Sequence, residues 1–192
     1  LDDSPASHEF ATRFYNANWN AGIGLFRDGV LRFANRQAID RPDLQGSFDL
    51  IGFSYYCAHG VRNGHIVPYP ESNNPSPLGY SIWPDGLGLV LDRLHTELPD
   101  TPLLIAEYGV GASDDLIRAE YLSAGLDITH DAIQRGIDIR GLFHWTAVDN
   151  YEWLHGYDIS FGLIDRDRNV RPSAAVLSNE ALSRPDPRPD SR

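Results

Sequence analysis

Glu107 closes the run Leu103-Leu104-Ile105-Ala106-Glu107-Tyr108-Gly109. Four apolar residues between Pro102 and Gly109 read as a short buried strand. A carboxylate at the end of such a strand is costly unless it is paired or used, and strand ends are where barrel enzymes keep their reactive groups. The same position also suits a glutamate that caps a loop or pairs with an arginine. A second cluster runs from Phe143 to Tyr157: Trp145, Asp149, Asn150, Tyr151, Glu152, Trp153 and Tyr157 within fifteen residues. Flat aromatic rings beside carboxylates and amides suit sugars, whose apolar faces stack on rings and whose hydroxyls need polar partners. Aromatic-rich loops also build ordinary cores and interfaces.

These residues need a scaffold, and the pattern around them supplies one. A helix is expected over 8–20, with Phe10, Phe14 and Ala17 on one face. Residues 21–47 read as a long loop, 48–56 as a buried strand, and the Pro- and Asn-rich 59–82 as a second long loop. Leu87, Val90, Leu91, Leu94 and Leu98 fall at helical spacing over 85–98. After the 103–106 strand, Ser113 is the expected N-cap of a helix reaching Arg135, with Gly136 as its C-cap. A strand over 137–145, a loop over 147–170 and a helix over 173–183 follow. The tail 184–192 is Pro-rich, charged and expected to be disordered. Strands alternating with amphipathic helices indicate a parallel sheet with right-handed crossovers. The strands at 48–56, 102–107 and 138–145 are expected to be neighbours, with Tyr56, Glu107 and Trp145 at their C-terminal ends.

Composition narrows the function classes. The 192 residues carry a net charge of -11, which argues against nucleic acid and anionic membranes as partners. Cys57 is the sole cysteine and reads as a packed small hydrophobe. No stretch approaches a membrane span, and no His/Asp/Glu spacing suggests a metal site or another cofactor. No basic-then-apolar leader stands at the N-terminus, and a cytoplasmic location is expected. The chain lacks Met entirely and opens at Leu1-Asp2-Asp3, so it reads as a piece of something longer.

The motifs resemble the C-terminal part of glycoside hydrolase family 1, the β-glucosidase family, over roughly residues 5–183. Ala106-Glu107-Tyr108-Gly109 is similar to the family's Glu-Asn-Gly at the end of barrel strand seven. The stretch Trp145-Thr146-Ala147-Val148-Asp149-Asn150-Tyr151-Glu152-Trp153-Leu154-His155-Gly156-Tyr157 is similar to its eighth-strand pattern. Gly52-Phe53-Ser54-Tyr55-Tyr56 matches the sixth-strand Gly-x-Asn-Tyr-Tyr. The resemblance implies that Glu107 is the nucleophile and that Tyr56 orients it. It implies that Trp145 stacks under the sugar, that Glu152 and Trp153 hold outer hydroxyls, and that Phe161 completes the pocket wall. Ser54, which stands in place of the family's Asn, falls among the substrate-binding residues. Tyr108 likewise replaces an Asn, and both departures bear on subsite polarity.

The family's acid/base glutamate lies in an Asn-Glu-Pro motif on strand four, and no such motif occurs here; Asn179-Glu180-Ala181 is unrelated. The expected fold is therefore α/β, a partial (β/α)8 TIM barrel holding strands six to eight with their helices, with residues 1–183 as one domain. The implied activity is that of a retaining β-glycosidase acting on a β-glycoside or oligosaccharide. The missing N-terminal barrel portion would come from a second segment or chain. A fragment that binds sugar without cleaving it is the alternative. A different retaining family of the same barrel superfamily is a third reading, which the 149–157 motif disfavours.

Overall fold

The computed structural model describes residues 3–33, 36–72 and 75–183. The chain enters a helix at Pro5, capped by Ser4, whose hydroxyl accepts the Ser7 amide at 3.3 Å. Helix α1 (Pro5–Tyr15) passes without a break into nine π-helical residues, Asn16–Gly24, and then into α2 (Leu25–Asp28). The helical stretch is thus longer at both ends than the 8–20 read from the sequence. Asn16, Asn18, Asn20 and Gly22 are poor helix formers, yet Trp19, Ile23 and Phe26 pack on the core and hold the segment in its wider turns. It stops at Gly29, whose φ of 69° only glycine adopts freely. The rest of the supposed 21–47 loop contains β1 (Val30–Leu31) paired antiparallel with β2 (Ile39–Asp40).

Three strands form the structural heart: β3 (Ile51–Tyr55), β6 (Leu103–Tyr108) and β7 (Ile139–His144), parallel and in the order β3-β6-β7, as the alternation predicts. Between β3 and β6 the supposed loop 59–82 holds a hairpin of β4 (Ala58–Arg62) and β5 (His65–Tyr69). Its turn is Asn63-Gly64, both at positive φ, the two-residue geometry whose twist matches antiparallel strands. Pro68 is tolerated because, among the described residues, β5 pairs with β4 alone.

Helix α3 (Gly86–Glu97) buries Leu87, Leu91 and Leu94 against the sheet. Helix α4 (Asp115–Gln134) is capped by Asp114, whose side chain accepts the Leu116 amide at 2.9 Å, and not by Ser113. Both residues are good caps; Asp114 adopts the extended backbone that the position demands. Helix α5 (Ala174–Ser183) completes the described chain. The tail 184–192 lies outside the described residues.

The core sits between the sheet and α3 and α4, where Ile51, Tyr55, Leu103, Ile105 and Tyr108 meet Leu87, Leu91, Leu94, Tyr121 and Leu122. Among the described residues, strands β3 and β7 each have one sheet neighbour. No described helix is long and apolar enough to cross a membrane.

Candidate active site

Strict alternation along β6 would give Glu107 the same face as Leu103 and Ile105, both fully buried against the helices. The ladder does not alternate strictly. Phe53 pairs with Ile105, but the next pair is Ser54 with Glu107, so Ala106 is an extra residue on β6. The bulge aims two successive side chains the same way. Ala106 faces Gly52, and Glu107 faces Ser54, two positions further along the same face of β3. Tyr108 then returns to the helix side, where it stacks on Tyr121 at 4.6 Å and donates to the Tyr121 carbonyl at 2.8 Å.

That placement answers one question the motifs raised. Tyr108, standing where the resembling family has Asn, is fully buried in the core and is not among the residues that line the cavity described below. Helix α4 accommodates it through Gly125, where a Cβ would lie 2.3 Å from the Tyr108 ring.

On the other face Glu107 lines a cavity of about 380 Å³ with Tyr56, Leu78, Tyr80, Trp145, Glu152, Trp153 and Phe161. The Tyr56 hydroxyl donates to Glu107 Oε2 at 2.7 Å, and the Ser54 hydroxyl donates to the same oxygen at 3.1 Å. Burial, reinforced by its bond to Glu107, raises the Tyr56 phenol well above its ordinary range, so it remains a donor. The Phe161 ring meets Tyr56 edge to face at 5.9 Å. Across the cavity, the Trp145 indole donates to Glu152 Oε1 at 3.4 Å. Trp153 borders the cavity from an open side and is 90% exposed. Six residues singled out from the sequence are thus gathered on one cavity, and Ser54 touches it through Glu107.

Leu78 and Tyr80 were missed. They sit in the Pro-rich segment before α3, whose length was its only functional signal. Tyr80 is anchored by the Gly111 amide, which donates to its hydroxyl at 3.4 Å, and burial pushes its phenol up to about 12.

The loop after β7 is stiffened from beneath. Gly109 lets the β6 and β7 ends close together, since a Cβ there would lie 2.2 Å from the Trp145 carbonyl oxygen. His144 is bonded to the Phe161 carbonyl at 3.0 Å, so its Nε2 carries the proton, and burial holds its pKa down. Asp149 takes a two-point grip from Arg171 at 2.6 and 3.0 Å and the Gly162 amide at 2.7 Å. Burial alone would raise the Asp149 carboxyl, but these donors outweigh it and hold the group below the usual carboxylate range.

The sign of the pH effect follows. Asp149 stabilises the fold fully above its unfolded pKa, at about pH 4, and loses that contribution as pH falls through its lower folded value. Asp149→Asn is expected to lower the unfolding free energy at pH 7 by about 1–3 kcal/mol, with the gap from wild type shrinking at pH 3. Urea titrations at both pH values check this, and a gap independent of pH would show that ionisation of Asp149 is not what holds the loop.

The cavity therefore joins one carboxylate with an oriented hydroxyl pair, a second carboxylate under an indole, and aromatic walls. Comparison with known proteins identifies the family. The model of "Glycosyl hydrolase family 1" matches residues 27–180. The 1,4-beta-D-glucan glucohydrolase of Thermotoga neapolitana is 30% identical over 168 residues, covering 77% of this chain and 39% of that protein. The beta-galactosidase of Saccharolobus solfataricus is 31% identical over 185 residues, covering 82% of this chain and 37% of that protein. A solved beta-glycosidase from Pyrococcus horikoshii superposes with a TM-score of 0.83 at 30% identity, over 95% of this chain and 45% of that one. The chain spans about two fifths of the length of these curated relatives. With the family pattern matched over most of its residues, this chain belongs to glycosyl hydrolase family 1.

Proposed function

We propose that this chain supplies the nucleophile-bearing, C-terminal part of a retaining β-glycosidase, with β3, β6 and β7 serving as barrel strands six, seven and eight. The single observation that carries the reading is the Glu107 carboxylate, oriented by Tyr56 at 2.7 Å and facing an aromatic-walled cavity. In this reading Glu107 attacks the anomeric carbon while the glycosidic bond breaks, forming a covalent glycosyl-enzyme. A second carboxylic acid, about 5–5.5 Å away, protonates the leaving oxygen and then activates water. That acid, with the first five strands, comes from a companion segment or chain. Trp145 stacks beneath the sugar, Glu152 accepts from its outer hydroxyls, the Trp153 indole donates to them, and Phe161 and Tyr80 wall the pocket. Relatives named for glucan and galactoside substrates support gluco- or galacto-configured β-glycosides as the substrate class.

The test is a reconstitution. The pure 192-residue chain is expected to leave aryl β-glycosides uncleaved, and turnover is expected on addition of a polypeptide carrying the first five family 1 strands. Turnover by the chain alone, with no second polypeptide in its mass spectrum, would show that its general acid lies within these 192 residues. A stable complex that binds sugar and never cleaves it would favour the non-catalytic alternative.

A further inference from the structure

Two hydroxyl groups converge on Glu107, and both meet the same atom. Tyr56 reaches Oε2 at 2.7 Å and Ser54 reaches Oε2 at 3.1 Å, while no hydrogen bond from the described residues is made to Oε1. The bulge in β6 creates this arrangement by pairing Ser54 with Glu107. Gly52 and Ser54 share one face of β3 and Tyr56 follows directly after its end, so the Ser54 and Tyr56 hydroxyls approach the carboxylate from positions two residues apart. We propose that Ser54 is a positioning residue for the nucleophile, fixing Oε1 as the attacking atom and Oε2 as the oxygen that stays free of the sugar. The inference rests on Glu107 being the nucleophile. It gives Ser54 a role different from the substrate contact that its place in the motif implied.

The consequence for rate follows from charge. In the first step Oε1 forms a bond to the anomeric carbon, the bond from that carbon to the leaving oxygen breaks, and its electron pair takes the proton of the companion's carboxylic acid. In the second, water bonds to the anomeric carbon and gives up a proton to the companion's carboxylate. The Oε1–carbon pair then returns to Glu107, which leaves as a carboxylate. Through both steps Oε2 carries two hydroxyl donors. A donor binds an ionised carboxylate more strongly than it binds an ester carbonyl. Each hydroxyl on Oε2 therefore favours departure of Glu107 more than its attack. Tyr56 does this from a half-buried position; Ser54 adds a second, more exposed donor to the same atom.

Removing one such bond at a partly solvated site changes the balance by about threefold to tenfold. The experiment uses the reconstituted enzyme and a 2-deoxy-2-fluoroglycoside carrying an activated leaving group, with reactivation followed after excess reagent is removed. Ser54→Ala is expected to form the labelled enzyme and to release it threefold to tenfold more slowly, with kcat and KM falling together as the intermediate accumulates. Ser54→Thr, which keeps the hydroxyl, is expected to reactivate like wild type. A KM that rises with unchanged kcat and unchanged reactivation would make Ser54 a substrate contact and overturn the proposal. Slow reactivation of Ser54→Thr, matching the alanine variant, would overturn it as well, because side-chain bulk and not the hydroxyl would be responsible. Failure of the wild type itself to label at Glu107 would be a different result: it removes the nucleophile assignment, and this inference with it.

Discussion

Glu107→Gln in the reconstituted enzyme is expected to lose several orders of magnitude in turnover, because the residue acts as one member of a unit whose other parts do little without it. The substitution keeps the shape of the side chain and the two hydroxyl contacts, and deletes the charge that attacks. Sugar binding is expected to survive, since stacking on Trp145 and hydrogen bonds to Glu152 do not depend on that charge. A fluoroglycoside should label the wild type at Glu107 and leave the variant unlabelled. Were Glu107 only a loop cap, the variant would be less stable and would turn over normally per folded molecule. A peptide map with the label on Glu152 or Asp149 would move the nucleophile into the loop after β7.

The largest stability effect is expected at Arg118, which is 1% exposed. Its guanidinium pairs with Asp115 and donates to the Ala112 carbonyl at 2.6 Å and the Ser160 carbonyl at 2.8 Å. Asp115 in turn accepts the Ser173 amide at 2.8 Å and hydroxyl at 2.7 Å. One buried cation thus ties together the loop after β6, the start of α4, the segment before Phe161 and the start of α5. Arg118→Leu fills much of the same space but leaves two carbonyls and a carboxylate without their donor. Removing one partner of a buried pair costs about 3–5 kcal/mol, and the retained Ser173 bonds put the expectation at the lower end. Chemical denaturation measures it. A loss under about 1 kcal/mol would show that water replaces the guanidinium at no great cost.

The fold was legible where pattern and burial agree. Leucines at helical spacing announced α3, and apolar strands alternating with amphipathic helices announced the parallel sheet. The hairpin β4–β5 was overlooked although Asn63-Gly64 is its standard signal; the prolines at 68 and 70 spoke louder than the turn. The π-helical stretch was unreadable from local preference, since tertiary contacts of Trp19 and Ile23 override the asparagines around them. At the site, residue types and motif spacing located Glu107, Trp145 and Glu152. Nothing in a period-two reading shows that Glu107 faces the pocket, because the bulge that turns it is a property of pairing with β3. Leu78 and Tyr80 reach the cavity through the path of a loop, which composition does not encode.

The pleat of β3 and β6 divides labour between neighbouring positions. Ile51, Phe53 and Tyr55, with Leu103, Ile105 and Tyr108, face the helices, while Gly52, Ser54, Ala106 and Glu107 share the opposite face, where Glu107 and Tyr56 line the cavity. Exchanges on the second set touch solvent-facing space and leave the packed layer alone. Adjacent positions therefore answer to different demands: one set is held by packing, and in the other Glu107 and Tyr56 answer to the proposed chemistry. A lineage can try Ser for Asn at 54 without first acquiring a compensating change in the core. Such a separation makes positions 52 and 54 of β3 the places where a change can act on the site without disturbing the packed layer.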